Sequence, residues 1–512
     1  MKKHSLIKGT FILGFAGMLA KALGMLFRIP LTILIGDEGL GYYQMAYPLY
    51  MLFIAGASGV PLAMSKMISE KNAQGDETGV LQVLKEALLL MSIFGTVITL
   101  VMFLLSNQFI KLFRWDKNSY YSLIALAAAP VFIAIMNVFR GFFQGLQNMT
   151  PTATSQVLEQ IARVVVGIGL AVMLLPKGIE YAAGGATLGA AAGGILGGMY
   201  LVSKYRKTRK QISVGKVEYN HDIMDTLLRL SVPISLGACV GTIMNVIDSI
   251  MVPQMLLKAG YTSKGAAILY GQLTGKAAVL VNVPLTLSGA LCATIVPIIS
   301  EAYLLKDKVK LHKNIVSAIK ISLIVALPSL CGLYFLPYPI LNLIFRGRVS
   351  GYEILKYSSI SIPFIILAQT TTIILQATTS KKRPIINLLM GCIVKIIVTG
   401  VLVPIPKINI YGAILGTFMA YATAFLLNIR LVKKSLGVKI DLYQSLIRPA
   451  YASIIMILVV VFIYVKIYNH TINNSISCLI AVFIGIIVYI ILILAFKVMN
   501  IKELIEKRSS SE

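Results

Sequence analysis

The chain alternates long apolar runs with short polar ones. The first run, GTFILGFAGMLAKALGMLFRIPLTILI, covers residues 9–35. Crossing the hydrocarbon core of a bilayer takes about 20 mainly apolar residues in a helix, and roughly 14 runs meet that criterion. They lie near 9–35, 43–68, 80–105, 120–143, 152–175, 181–203, 225–252, 268–299, 315–337, 354–377, 385–404, 409–431, 447–466 and 475–496. No polar stretch between them is long enough for an independent soluble domain. The pattern predicts an all-α polytopic membrane protein of about 14 transmembrane helices.

Composition supports the same class. The 512 residues are 57% hydrophobic, 13% charged and have a mean hydropathy of +0.83, whereas a soluble domain averages about 25% charged residues. The net charge of +27 would suggest nucleic acid in a soluble protein. Here most cations fall between apolar runs, where they orient the chain and meet anionic lipid. No zinc-finger spacing or aromatic–basic RNA motif appears, so nucleic acid is not an expected partner. Cys239, Cys292, Cys331, Cys392 and Cys478 all lie in apolar runs without a CxxC pair, and the four histidines sit apart in polar flanks. They predict neither disulfides nor a metal site. The N-terminal MKKHSLIKG lacks a small-x-small cleavage site, and the run after it is long and carries charges. It reads as an uncleaved first span.

With the N-terminus in the cytoplasm, the inside loops hold KYRKTRKQ (204–211), LKDKVKLHK (305–313), SKKRP (380–384) and RLVKKSLGVK (430–439). The inside flanks then carry about 26 Lys and Arg against about 11 outside, the bias expected of cytoplasmic loops. Both termini are expected inside a bacterial cell membrane. The chain also echoes itself at an offset of about 230 residues, or six spans. SGVPLAMSKMISE (58–70) is answered by SGALCATIVPIISE (288–301), and IEYAAGGATLG (179–189) more weakly by INIYGAILGTF (408–418). Six is even, so both copies insert in the same sense, as in transporters built from parallel repeats. This predicts two six-helix lobes around a central cavity plus two C-terminal helices. The expected division is an N-lobe over 1–203, a basic cytoplasmic linker over 204–224, a C-lobe over 225–431, and the last two helices with a tail over 432–512.

About ten cations fall inside the runs, where each costs about 2.5–3.5 kcal/mol on insertion scales. Lys66, Lys85, Arg229 and Lys320 lie near cytoplasmic ends and can snorkel. Lys21 is about 12 residues into its span, roughly 18 Å deep. Lys21, Gly24 and Arg28 follow helical spacing and share one face, and Pro30 can bend the helix beside them. That face is expected to line a water-filled cavity that attracts an anion; the alternative is charge buried in helix–helix contacts. Lys276 on the eighth span is a further candidate. Arg140, Arg163 and Lys395 are secondary ones, and Arg163 has a local partner in Glu159 four residues earlier. Asp248 is the one carboxylate well inside a span, placed to pair with a cavity cation or to bind a coupling proton or sodium ion. The mid-membrane excess is positive, which suits phosphate, pyrophosphate or carboxylate better than a cationic drug.

No catalytic or nucleotide-binding motif sits in a loop. GQLTGK (271–276) is one residue short of a phosphate-binding loop and lies in a span. The expectation is a non-enzyme with no cofactor, driven by H+, Na+, the membrane potential or consumption of substrate on the far side.

GTFILGFAGMLAKALGMLFRIPLTILIGDEGLGYYQMAYPLY, GVPLAMSKMISE, RGFFQGLQNMTPTATSQVLEQIARV and YGQLTGKAAVLVNVPLTLSGALCATIVPIISEAY resemble the stage V sporulation protein B family of the multidrug/oligosaccharidyl-lipid/polysaccharide exporter superfamily. The resemblance implies alternating access and a role in spore cortex peptidoglycan synthesis, as a flippase for the undecaprenyl-pyrophosphate-linked precursor lipid II. In related murein-precursor flippases, cations on the first, second and eighth helices line the cavity. Lys21 matches the earlier first-helix cation, Arg28 the later one with a one-residue slip, and Lys276 falls on the eighth helix. PLYMLFIAG (48–56) has no charge where the second-helix cation is expected. The resemblance implies a lipid-linked oligosaccharide as substrate, held by Lys21, Arg28 and Lys276, with membrane lipids and cell-wall synthases as partners. An ion-coupled multidrug exporter and a non-transporting scaffold for cell-wall synthesis are the alternatives.

Overall fold

A computed structural model describes residues 6–210, 219–379, 382–438, 441, 443–496 and 498. Residues 211–218 of the basic linker and nearly all of the tail after 496 lie outside the described residues. Those described form helices and no strand. This follows from the solvent: in hydrocarbon each backbone N–H and C=O needs an internal partner, and a helix supplies one within its own segment.

Two compact units are present, Met1–Gly271 and Gln272–Glu512. The first contains α1 (Leu6–Ala57), α2 (Gly59–Ala73), α3 (Glu77–Leu104), α4 (Ser106–Phe113), α5 (Ser119–Ala127), α6 (Ala129–Gly145), α7 (Met149–Leu174), α8 (Ile179–Arg209), α9 (His221–Lys258) and α10 (Ser263–Gly271). The second opens with a π-helical stretch, Gln272–Ala277. It continues through α11 (Ala278–Leu304), α12 (Lys308–Phe335), α13 (Pro337–Ile344), α14 (Tyr352–Ser358), α15 (Ile362–Ala377), α16 (Arg383–Leu402), α17 (Ile410–Leu436), α18 (Arg448–Thr471) and α19 (Asn474–Ala495). Helices α9 and α10 pack on α1 within the first unit.

Thirteen helical segments among the described residues are long and apolar enough to cross a membrane. The first, Ile12–Ala73, has 62 residues. Straightened, it would measure about 93 Å, three times the roughly 30 Å core. It contains two of the expected runs and is broken at Gly36, whose φ of 66° and ψ of −170° are not helical. One long segment therefore supplies two crossings, and the 14 expected spans are accounted for. The break also brings Arg28 and Tyr43 together, since both guanidinium groups of Arg28 and Arg163 act electrostatically on Tyr43. On a straight helix those two positions would stand about 22 Å apart.

Polar side chains stop and start the helices where spans meet loops. The Asp76 carboxylate accepts from the Gly79 amide at 2.7 Å at the start of α3, and Asp307 accepts from Lys310 N at 3.0 Å at the start of α12. Asn220 and Asn473 cap α9 and α19 in the same way. Each satisfies amides that the first helical turn leaves unpaired.

Inside the first unit, glycines let helices approach closely. A Cβ at Gly189 would stand 2.6 Å from the Arg163 carbonyl oxygen, and one at Gly193 2.7 Å from that of Glu159. Helix α8 therefore lies against the backbone of α7 with no side chain between them. In the second unit the same juxtaposition recurs: a Cβ at Gly416 would meet the Lys395 carbonyl at 3.5 Å and Thr399 Oγ1 at 2.5 Å. Helices α18 and α19 pack on each other and, through Leu336, Met456, Ile457 and Ile493, form their own apolar core.

Candidate functional site

The polar face of the first unit is built where α1 crosses α7. Gly17 and Gly24 on α1 stand opposite Gln156 and Gln160 on α7, with amide oxygens 3.8 and 3.5 Å from where a Cβ would be. Four residues separate those glutamines, so both project from one side of α7. Glu159 and Arg163 continue the polar stripe toward the middle of the span.

Glu159 organises the charges. One carboxylate oxygen accepts from Arg140 Nη2 at 2.9 Å, the other from Arg163 Nη2 at 3.0 Å. Side-chain exposure is only 11–13% for all three. Arg140 also donates to Ser155 Oγ at 2.9 Å and to Asn137 Oδ1 at 3.4 Å, and Arg163 donates to the Tyr47 hydroxyl at 3.4 Å. Two guanidinium groups share one carboxylate, which leaves the triad with net charge +1. Tyr43 and Tyr47 stack with ring centroids 5.4 Å apart, and Tyr50 lies 5.7 Å beyond Tyr47. Arg28 approaches this cluster from the other limb of α1, half-buried, while its carbonyl accepts from Thr32 Oγ1.

Lys21 is different. It is exposed, and no acid among the described residues pairs with it. It lies between Gly17 and Gly24 in sequence, one turn from each, so the small residues leave room beside the ammonium. Lys21, Gly24 and Arg28 thus belong to one membrane-spanning limb, with Lys21 open and Arg28 drawn toward the tyrosines.

The other candidates are placed elsewhere. Lys276 is 1% exposed. Its ammonium donates to the Arg348 carbonyl at 3.1 Å, the Ser350 carbonyl at 3.1 Å and Ser350 Oγ at 2.9 Å, all within the second unit. Three acceptors close around the group and Phe345 stands 5.9 Å from it. Through these bonds Lys276 ties down the 345–351 loop. Lys395 on α16 is also 1% exposed and is engaged. Asp248 on α9 is half-buried and engaged. Its neighbour Ser249 accepts the Trp115 indole N–H at 2.6 Å through its carbonyl.

Sequence spacing alone exposed the Arg163–Glu159 pair. The Arg140–Glu159 bridge joins residues 19 apart on different helices, and the approach of Arg28 to the tyrosines depends on the break at Gly36. The one sequence signal for the latter was the glycine itself, in ILIGDEGLG (33–41). Among the described residues no group of three or more His, Cys, Asp or Glu side chains has the geometry of a metal site.

Comparison with known proteins bears on this architecture directly. In solved structures, the lipid II flippase MurJ in an inward closed conformation superposes with a TM-score of 0.74 at 19% identity, covering 97% of this chain and all of that one. An inward-facing multidrug transporter of the MOP superfamily gives 0.67 at 16% identity over 81% of this chain and 95% of that one. Both likenesses establish the fold. In sequence, the lipid II flippase MurJ of Bacillus subtilis (strain 168) is 26% identical over 84% of this chain and 83% of its own length. The stage V sporulation protein B of the same organism is 30% identical over 87% of this chain and 86% of its own. The polysaccharide biosynthesis protein family matches residues 6–303. The open lysine and the buried triad both fall in that matched region, and the chain belongs to the polysaccharide biosynthesis family and, within it, to the group of stage V sporulation protein B.

Proposed function

We propose that this protein is a flippase that carries an anionic, undecaprenyl-pyrophosphate-linked glycan across the bacterial cell membrane by alternating access. Lipid II for spore cortex synthesis is the proposed substrate. The observation that carries the reading is Lys21: an exposed ammonium in a span, without a protein counter-ion among the described residues. Facing hydrocarbon, that charge would cost about 2.5–3.5 kcal/mol or more. Facing water and a diphosphate, it gains an attraction that a low-dielectric wall strengthens.

In this reading the residues divide the work. Lys21 meets the diphosphate first, in a water-filled recess lined by α1. Arg28 adds a second positive charge on the same limb. The Arg140–Glu159–Arg163 triad, with net charge +1, supplies a fixed positive field from behind. The glycan head crosses through water while the polyprenyl tail stays in lipid. Alternation between inward- and outward-open states moves the site from one leaflet to the other, as binding shifts the population between them. The energy source we propose is H+, Na+ or the membrane potential.

The test is transport in sealed vesicles that contain the purified protein and labelled lipid II. The wild type moves label between leaflets, and Lys21→Ala with Arg28→Ala abolishes movement while membrane abundance stays the same. Full activity of the double variant overturns the mechanism. Dissipating each gradient in turn in the same vesicles identifies the driving force. Vesicles that export a cationic drug and leave lipid II in place would point to the multidrug reading.

A further inference from the structure

A second charged recess lies in the other unit, far along the chain from the transport residues. It sits where the first turn of α16 meets the last turns of α17. It encloses about 300 Å³, and Arg383, Arg430 and Lys434 rim it above a floor of Ile386, Leu427 and Leu431. No carboxylate lines it. Its one amide, Asn387, donates to Asn428 Oδ1 at 2.8 Å. That bond uses one amide N–H and holds the two helices together. Three cations and no carboxylate give the recess its positive character.

The floor continues along the helix. Ile386, Met390, Ile393, Ile397 and Val401 are all exposed along α16, spaced three or four residues apart, so they form one lipid-facing stripe. A cationic rim at the end of a span, opening onto a stripe in contact with acyl chains, matches the two halves of one amphiphile. We propose that this recess is a binding site for an anionic phospholipid. Its phosphodiester lies between Arg383, Arg430 and Lys434, and an acyl chain lies along the α16 stripe. Basic recesses between helix ends on the cytoplasmic side bind such headgroups, and by charge bias this is the end expected in the cytoplasm. A soluble phosphate would use the rim and gain nothing from the stripe. The site is independent of the transported substrate.

Native mass spectrometry of the full-length protein in neutral detergent tests this, with dioctanoyl phosphatidylglycerol as the probe. Dioctanoyl phosphatidylcholine and glycerol 3-phosphate separate charge from chain. The wild type should retain one phosphatidylglycerol more tightly than either control. Replacing Arg430 and Lys434 by Gln should weaken it about 25-fold, at about fivefold for each cation near the surface, and leave phosphatidylcholine unchanged. Equal retention by variant and wild type overturns the site. Glycerol 3-phosphate binding as tightly as the lipid makes it a soluble-anion site and overturns the lipid assignment. Should the double variant fail to fold, Leu427→Trp fills the floor and keeps every cation. It should displace the lipid, and unchanged retention by that variant also refutes the proposal.

Discussion

Single residues separate into those that hold the protein together and those left open to a ligand. Lys276 and Lys21 are both lysines in apolar runs, and the chain around them gives little ground to tell them apart. The difference is tertiary. The acceptors around Lys276 come from residues 72 and 74 positions further on, and no local pattern reveals them. Lys276→Met should lower the thermal midpoint, because unmet buried acceptors cost about 1–3 kcal/mol each, yet leave lipid II affinity intact. Lys21→Ala should do the reverse. Thermal unfolding and a lipid II binding curve on both variants check the contrast. Glu159→Gln removes the one carboxylate between two arginines. Breaking a buried ion pair by removing one partner costs about 3–5 kcal/mol, so this variant should be scarce in the membrane. Removing Arg140 as well should restore part of the loss, as a double-mutant cycle would read it.

Elements were more legible than their joints. Apolar run length located the spans because a bilayer imposes one length scale on every crossing. The short helices α4 and α13 escaped that criterion, since neither is long enough to cross. The interruption at Gly36 was legible, since the first run ends at 35 and the next begins at 43; its backbone geometry was not, because hydropathy carries no dihedral angles. Its backbone lies in a region that only glycine enters at low cost, so Gly36→Ala should strain the turn by about 1–3 kcal/mol and lower the yield of folded protein in detergent. The start of α3 carries a milder dependence on pH. The Gly79 amide and then the Lys71 ammonium hold the Asp76 carboxyl below the usual carboxylate range. A depressed pKa in the folded state means that the cap stabilises α3 above the ordinary carboxylate pKa of about 3.9. The benefit fades as pH falls through the lower folded value. Melting curves from neutral to acid pH should therefore show the wild type losing its margin over Asp76→Asn.

For the whole molecule, glycine contacts recur at nearly the same six-span offset: Gly189 against Arg163 in one unit, Gly416 against Lys395 in the other. Orientation is the remaining large-scale expectation. The charge bias places 204–211 inside and the α9–α10 turn outside. A membrane-impermeant maleimide on intact cells should label Lys258→Cys and spare Arg206→Cys, in a background without the native cysteines. The reverse pattern inverts the topology. The glycine seam has a further mechanical meaning. Because α8 grips the α7 backbone directly at Glu159 and Arg163, that pair forms a stiff backplate with little freedom to slide. The limb opposite it is interrupted by Pro30, Gly36 and Pro48, and so is the compliant partner. If the proposed transport holds, α1 is the element expected to bend while the α7–α8 pair stays still.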